Sequence, residues 1–172
     1  SEHILQTEGT NAGENGISIY AFNNSAHAGH FTFGKSRNNT SVADNDFLGH
    51  ILWAAHDGTD VDNFGARITG RIDGTVGSNV TPGSLEFYTT PAGANSVASA
   101  PRLVIGSDGK VLIGGGSSRS VGWENLVQIE GTNTSNLHSL SIVANRANAF
   151  GNDINFAKSR GSTLGSNTIV QD

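Results

Sequence analysis

Acidic residues in short polar loops are the first positions of this sequence whose type and spacing could carry chemistry. Asp44 and Asp46 are two residues apart, and a glycosidase uses a pair of carboxyl groups as its acid and base. A glycosidase acid needs a raised pKa, which comes from apolar surroundings. Residues 38–46 offer little apolar shielding. We therefore predict ordinary pKa values for both carboxyls and no catalytic residue in the chain.

A second group of acids could bind a metal. Asp57, Asp60 and Asp62 precede Asn63, and carboxylate and amide oxygens are ligands that calcium prefers. Their spacing fits neither the calcium loop with alternating acids and a distal glutamate nor the nonapeptide calcium repeat. We therefore predict a solvated turn without metal, and a calcium site made by these three acids is the weaker alternative.

Aromatic and histidine side chains are the remaining candidates for ligand binding, because aromatic rings stack on the faces of sugars. Trp53 lies inside an apolar run, which favours packing in a core. Tyr88 follows Phe87, so strand alternation directs the two to opposite faces and Tyr88 toward solvent. His50 and His56 are an even number of residues apart and could share one face of a strand. Tyr88, Trp53 and His56 are thus weak ligand-binding candidates.

The composition is polar without being charged. Of the 172 residues, 15% are charged and 35% hydrophobic, and the chain has 23 Gly and 18 Asn. Typical soluble domains have about 25% charged residues. Low charge argues against disorder, whereas Gly and Asn suit the positive-φ positions of tight turns.

Several classes of partner and chemistry are excluded by the same composition. The net charge is −5, without a basic cluster, which argues against nucleic acid as a partner. The chain has no Cys, which rules out disulfides and thiolate zinc sites. No apolar run approaches the roughly 18 residues of a membrane span, so we predict no membrane insertion. Nothing in the sequence indicates a cofactor.

The elements that must position these side chains are predicted to be strands. Alternating apolar residues separated by Asp-Gly turns are typical of β-hairpins, and no segment has a capped apolar period of 3.6 residues. We therefore predict an all-β chain with short strands, tight turns and little helix. The predicted strands are residues 16–22, 30–33, 47–55, 66–72, 85–89, 103–105 and 111–113.

Two blocks of the sequence recur. LQTEGTN at residues 5–11 returns as VQIEGTN at 127–133, and FTFGKSR at 31–37 returns as INFAKSR at 154–160. We interpret residues 1–122 as a complete repeat unit and 123–172 as the start of a second, truncated unit of a longer modular polypeptide. Matching alternation predicts equal burial in the two copies. The residues compared are Ile17, Ile19, Phe31 and Phe33 in the first copy, and Leu140, Ile142, Ile154 and Phe156 in the second.

The apolar content is thin for a closed sandwich of two sheets. Most predicted strands carry only two or three large apolar side chains. At about 25 cal/mol per Å², such a sheet would bury too little area to offset the entropy of the chain. Identical copies that contribute their apolar faces to a shared core would supply the missing area, so we predict self-association.

From residue 48 onward, the order of short motifs resembles a repeat module of bacteriophage tail fibres and other virion structural proteins. Lys-Ser-Arg segments such as those at 35–37 and 158–160 commonly precede that module. The matching motifs are LGHI at 48–51, DG at 57–58, IDGTVG at 72–77, PGSLEFYTT at 82–90, GA at 93–94 and RLVIGSDGKVLIG at 102–114. Residues 48–115 correspond to the module, of a type often found upstream of an intramolecular chaperone domain.

The resemblance implies an elongated, intertwined homotrimer. It further implies a non-enzymatic segment of a virion tail fibre, extracellular, that spaces or presents a receptor-binding surface for host attachment. The implied partners are further copies of the chain, other tail proteins of the virion and a glycan of the host cell surface. Two alternatives stay open: a bacterial surface adhesin module and a tailspike-like polysaccharide depolymerase. The depolymerase would need paired carboxylates in a groove.

Overall fold

The computed structural model describes residues 17–22, 24, 26, 28–115, 117–120, 125–131 and 154. The chain divides into two compact units, Ser1–Thr132 and Asn133–Asp172. The repeat boundary at residue 122 is inferred from recurring blocks of sequence, and the division of the structure into units does not test it. It therefore stays a prediction. The described residues include no helix that could span a lipid bilayer.

Six strands of the first unit form one sheet, which confirms the all-β prediction. Neighbouring strands are also neighbours along the chain, and all pairs are antiparallel except β5 and β6, which are parallel. β6 lies in the stretch that we assign to the second repeat, and it completes the sheet of the first unit. The strands are β1 (Phe47–Ala55), β2 (Asn63–Ile72), β3 (Gly83–Thr89), β4 (Leu103–Ile105), β5 (Val111–Ile113) and β6 (Val127–Ile129).

The predicted Asp-Gly turns are confirmed. Gly58, Gly74 and Gly109 have φ values of +104°, +132° and +79°, in a region that residues with a Cβ rarely adopt. Between β4 and β5, the backbone N–H of Gly109 donates to the carbonyl of Gly106 (3.0 Å), and that of Gly106 donates to Lys110 (2.9 Å). The turn therefore depends on the conformational freedom of one glycine.

Replacing Gly109 with Ala is expected to lower the free energy of unfolding by about 1–2 kcal/mol, because a Cβ is unfavourable in the left-handed region. Open space surrounds the position, so the loss would be a backbone effect. Gly34→Ala is the matched control, since a Cβ at Gly34 also meets nothing within 4 Å and its φ is not positive. Urea unfolding curves of the two variants measure the difference. Equal midpoints would contradict this account of the turn.

The register of pairing places polar and apolar side chains on opposite sides of the sheet, because directly paired residues point to the same side. We call the two sides the polar face and the apolar face. The polar face carries His50, Leu52, Arg67, Thr69, Arg71, Ser84, Glu86, Tyr88, Val104, Leu112 and Gln128, and the apolar face carries Ile51, Trp53, Ala66, Ile68, Leu85, Phe87, Leu103, Ile105, Val111, Ile113, Val127 and Ile129.

In the single chain, the polar face of the sheet is the more buried one, whereas an ordinary sheet buries its apolar face. On the polar face, Thr69, Tyr88 and Glu86 are 0%, 3% and 5% exposed. The apolar face is largely uncovered, and its side chains are half-buried or exposed. One row of directly paired residues crosses all six strands on that face: Ile51, Ile68, Phe87, Leu103, Ile113 and Ile129. We call this set the apolar row.

For two aromatic side chains, burial within the single chain differs from the prediction. The apolar run predicts Trp53 in a core, but its side chain is 50% exposed on the apolar face. Tyr88 is predicted to face solvent, yet it is buried on the polar face. Alternation correctly separates Tyr88 from Phe87. It does not tell which face is covered, because covering depends on groups distant in sequence.

The segments before β1 are not strands. Residues 16–22 and 30–33 are predicted as strands from their alternation, but their described residues, 17–22 and 30–33, form no ladder within the described part of the chain. A strand needs hydrogen bonds from a neighbour, and these segments have no such neighbour in the described part of a single chain. The apolar side chains of these segments are exposed: Ile17, Ile19, Phe31 and Phe33. In the second copy, Ile154 is also exposed.

The prediction of equal burial in the two copies stays a prediction for the other three residues of the second copy, because they lie outside the described ranges. These residues are Leu140, Ile142 and Phe156.

Candidate functional site

A buried hydrogen-bonded network occupies the polar face. The guanidinium carbon of Arg67 lies 4.1 Å from the ring centroid of Tyr88, a favourable cation–π distance. The Tyr88 hydroxyl donates to Glu86 Oε2 (2.5 Å), and Arg71 Nη1 donates to Glu86 Oε1 (3.3 Å). Arg71 Nη2 donates to Asn45 Oδ1 (2.6 Å). Burial, with the bond to Glu86, raises the pKa of Tyr88, so the phenol stays a donor at neutral pH.

His50 extends this network across to β1. Its Nδ1 lies 3.1 Å from the hydroxyl of Thr69, which is the residue paired with it in the sheet. Burial and the nearby charge of Arg67 lower the pKa of His50, which keeps the imidazole neutral at pH 7. His50 therefore acts as an uncharged hydrogen-bonding group on the polar face.

Asp46 corrects the prediction of an ordinary pKa. Arg37 donates Nε to Asp46 Oδ2 and Nη2 to Oδ1, both at 2.7 Å, and Lys35 Nζ lies 3.0 Å from Oδ1. The backbone N–H of Ala43 adds a bond of 2.9 Å. The bond from Arg37, then that from Ala43, holds the pKa of Asp46 far below its usual range. A carboxyl that stays ionised cannot serve as a general acid.

Asp44 does not pair with Asp46. Its Oδ1 accepts a hydrogen bond from the backbone N–H of Gly74 (2.8 Å), in the turn after β2. The two carboxylates thus bind different parts of the chain: Asp46 binds Lys35 and Arg37, and Asp44 binds the turn after β2. Neither arrangement has the form of an acid–base pair.

The acids after β1 stabilise their own loop. Asp57 Oδ1 accepts bonds from the backbone N–H groups of Thr59 (2.8 Å) and Asp60 (3.3 Å), and Asn63 Nδ2 donates to Asp57 Oδ2 (2.6 Å). These backbone bonds lower the pKa of Asp57. Asp60 Oδ1 likewise accepts from the N–H of Asp62 (3.1 Å). Such bonds are typical of Asx turns, and no group of three or more possible metal ligands occurs in the described ranges.

The three predicted ligand-binding side chains are not brought together. Tyr88 and Trp53 lie on opposite faces of the sheet. His56 lies in the loop after β1, where its Nδ1 accepts a hydrogen bond from the N–H of Gly58 (2.9 Å). Sequence reasoning missed the network on the polar face. The sequence does contain an indication of this network, because Arg67 and Arg71 alternate with apolar residues along β2.

A cleft of about 350 Å³ opens on the polar face, beside the network. Its floor includes Ser84, Glu86, Val104 and Leu112, from three adjacent strands. Its walls come from the last two residues of β2, Arg71 and Ile72, and from loops. The loop residues are Asn45, Asp73, Gly106, Ser107, Asp108, Lys110, Ser117 and Ser118. The chain thus has a concave, polar-lined site on the side of the sheet opposite to the apolar row.

Comparison with known proteins gives a likeness in three-dimensional fold. No protein-family model matches the sequence, and no curated protein matches it. The fold is similar to that of the carboxy-terminal domain of the L-shaped tail fibre of bacteriophage T5, with a TM-score of 0.63 and 12% sequence identity. The match covers 88% of this chain and 63% of that one, which is less than two thirds of its length. The chain therefore has a tail-fibre-like fold.

Proposed function

We propose that this chain is a non-enzymatic structural segment of a bacteriophage tail fibre. It lies outside the cell as part of the virion, and it spaces or presents a surface by which the fibre attaches to its host. The likeness in fold to a tail-fibre domain supports this proposal. The observation that carries it is the uncovered apolar face, since a fibre of several copies would bury that face.

The apolar row crosses the whole width of the sheet. Contiguous exposed apolar patches beyond a few hundred Å² usually mark interaction sites. Ile51 and Ile129, at the two ends of the row, are 48% and 50% exposed. Completing the burial of six such side chains contributes on the order of 5 kcal/mol per chain. That amount is comparable with the whole stability of a small domain, about 5–15 kcal/mol, so the single chain lacks a large share of its core.

The proposed occupants of the apolar face are two further copies of the same chain. In a homotrimer, three apolar faces would meet around a common axis and leave the three polar faces outward. Copies could also complete the edges of the sheet, because β1 and β6 each have one neighbouring strand in the described structure. Other tail proteins of the virion would join the fibre at its ends. The number three follows the tail-fibre resemblance.

The direction in which the pKa values of the carboxyl groups are shifted agrees with a non-enzymatic role. Asp46, Asp57 and Asp108 all have lowered pKa values, caused respectively by Arg37, by backbone N–H groups and by Lys110. A polysaccharide depolymerase would need one carboxyl with a raised pKa. The pKa values of these three carboxyls are therefore shifted in the direction opposite to that of a catalytic acid.

Sedimentation equilibrium tests the proposal. The chain is expected to have three times its monomer mass of 17.8 kDa at micromolar concentration, and sedimentation velocity is expected to give the frictional ratio of an elongated particle. The reason is that the apolar row needs copies to cover it. A folded monomer, or a compact dimer, would contradict the proposal.

A further inference from the structure

The edge of β5 is shaped to receive a strand, and β6 occupies it in parallel pairing. The backbone N–H of Val111 donates to the carbonyl of Leu126, and that of Glu130 donates to the carbonyl of Ile113, both at 2.8 Å. Just after β5, a Cβ at Gly114 would clash with the carbonyl oxygen of Glu130. The two backbones can approach this closely because residue 114, with a φ of +86°, is a glycine.

Polar side chains add specific contacts between β6 and the residues before it. Arg119 Nη2 lies 2.6 Å from Glu130 Oε1, and the backbone N–H of Arg119 donates to Gln128 Oε1 (3.3 Å). Gln128 Nε2 in turn donates to Glu130 Oε2 (2.7 Å). Val127 and Ile129, by contrast, are 56% and 50% exposed. Gln128 and Glu130 therefore make the specific contacts of this strand.

The residues that make these contacts recur near the start of the chain. Residues 127–131 read VQIEG and residues 5–9 read LQTEG; we call residues 5–9 the opening segment. The opening segment lies outside the described ranges, so the match is one of sequence. It has Gln6 and Glu8 at the two contacting positions, and it differs only at the two positions whose side chains are exposed in β6. The opening segment therefore has the groups that the edge of β5 binds.

We propose that the edge of β5 is a docking site for the segment that opens a repeat unit, and that the opening segment of a second copy can occupy it in place of residues 127–131. Within one chain β6 fills the site, because a tethered strand has a high effective concentration. Docking between copies is a head-to-tail contact, which can extend into a filament. The inference deepens the proposed function, on which its role in a fibre rests, whereas docking itself needs only the sheet of one chain.

A peptide of residues 3–11, HILQTEGTN, tests the site on the full chain of the variant Gln128→Pro. Proline cannot donate to a ladder, so this variant is expected to release β6 and open the edge of β5. Fluorescence anisotropy of the labelled peptide is expected to show at least about 10-fold tighter binding to Gln128→Pro than to the wild type, where the peptide must displace a tethered strand. A Gln6→Pro peptide is the matched control and is expected not to bind. No binding of HILQTEGTN to folded Gln128→Pro, or equal binding of the Gln6→Pro peptide, would overturn the proposal.

Association of the variants tests docking between copies. In sedimentation velocity, Gln128→Pro is expected to give a mass that rises with concentration beyond that of the wild type. Gln6→Pro combined with Gln128→Pro opens the site but disables the opening segment, so the double variant is expected to keep the wild-type mass. Excess HILQTEGTN is expected to return Gln128→Pro to that mass by capping the site. Growth that persists in the double variant would refute docking by the opening segment.

Exchange of the docked residues gives a test that applies even if Gln128→Pro does not fold. Val127→Leu with Ile129→Thr makes residues 127–131 read LQTEG, and hydrogen exchange of the Val111 amide, which donates to Leu126, is expected to stay within about 3-fold of the wild type. Gln128→Ala with Glu130→Ala is expected to accelerate it about 10-fold, the effect of losing a charge-assisted hydrogen bond. Equal acceleration in the two variants would show that LQTEG does not fit the site.

These measurements separate docking from the three-fold assembly. Peptide binding and exchange of the Val111 amide report on the edge of β5 in one chain, and the growth in mass is compared with the wild type whatever the mass of the wild type is. A wild-type monomer would therefore contradict the proposed function and leave docking intact, whereas failure of the peptide to bind would do the reverse.

Discussion

Replacing Ile51 with Asp is expected to abolish the proposed three-fold assembly. Ile51 ends the apolar row, and burying an unpaired carboxylate at an interface costs several kcal/mol per copy, on the order of 10 kcal/mol for three copies. That loss corresponds to roughly a 10⁷-fold weaker association. At micromolar concentration, sedimentation is therefore expected to give no species of three-fold mass, and to give instead single chains with a reduced β signal in circular dichroism.

Val61→Asp is the matched control for this substitution. Val61 is 53% exposed, close to the 48% of Ile51, but it lies in the loop between β1 and β2 and outside the apolar row. The control introduces the same charge at a similarly exposed apolar residue, and it is expected to keep the wild-type mass. If Ile51→Asp also keeps three-fold mass, the apolar row is not the interface.

Replacing Asp46 with Asn is expected to release residues 35–37 from the sheet and to lower the thermal unfolding midpoint by several degrees. Asp46 is 7% exposed and holds Arg37 by two bonds of 2.7 Å. Its backbone carbonyl also accepts a bond from the N–H of Ile72 (2.8 Å), so the ion pairs join the Lys-Ser-Arg segment to the end of β2. Charge-assisted, bidentate bonds of this kind are among the stronger polar interactions.

Trypsin gives a local measurement of the same effect. It cuts after Lys and Arg, so release of the segment is expected to accelerate cleavage after Lys35 and Arg37 at a temperature where the rest of the chain stays folded. Asp62→Asn is the control, because Asp62 is exposed and its side chain makes no hydrogen bond within the described residues. Equal cleavage rates in the two variants would show that Asp46 does not hold the segment.

The pH dependence of this stabilisation has a definite sign. Since the folded-state pKa of Asp46 is lowered, its contribution is fully present above the unfolded-state pKa of about 3.9. The contribution declines as pH falls below that value and is lost below the folded-state pKa. The difference in unfolding midpoint between the wild type and Asp46→Asn is therefore expected to be constant from about pH 5 upward and to shrink below about pH 4. A difference that grew on acidification would contradict the ion-pair account.

Much of the secondary structure could be predicted from the sequence. The apolar run at 47–55 and the short runs at 103–105 and 111–113 are strands with those bounds, and the Asp-Gly pairs lie in the turns. β2 begins three residues before its predicted start, at Asn63. These features are local, because the pleat of a strand and the positive φ of a turn glycine depend on a few neighbouring residues.

The candidate site could be predicted only in part. Alternation along β2 separates Arg67 and Arg71 from Ile68, but it cannot place Glu86 beside Arg71, or Arg37 beside Asp46. Those contacts join residues 15 and 9 positions apart, and they depend on strand register and loop path. The predicted ordinary pKa of Asp46 failed for this reason.

By itself, then, the sequence determined the strands between residues 47 and 113 and which of their residues share a face, since both follow from the two-residue period of a strand. It also determined where the chain turns, through its Asp-Gly pairs. Only the tertiary structure decided which face is covered. Alternation makes Tyr88 and Phe87 opposite, but burial is a sum over packing partners that are distant along the chain. The structure buries Tyr88 and leaves Trp53 exposed because the polar face is the one enclosed within a single chain.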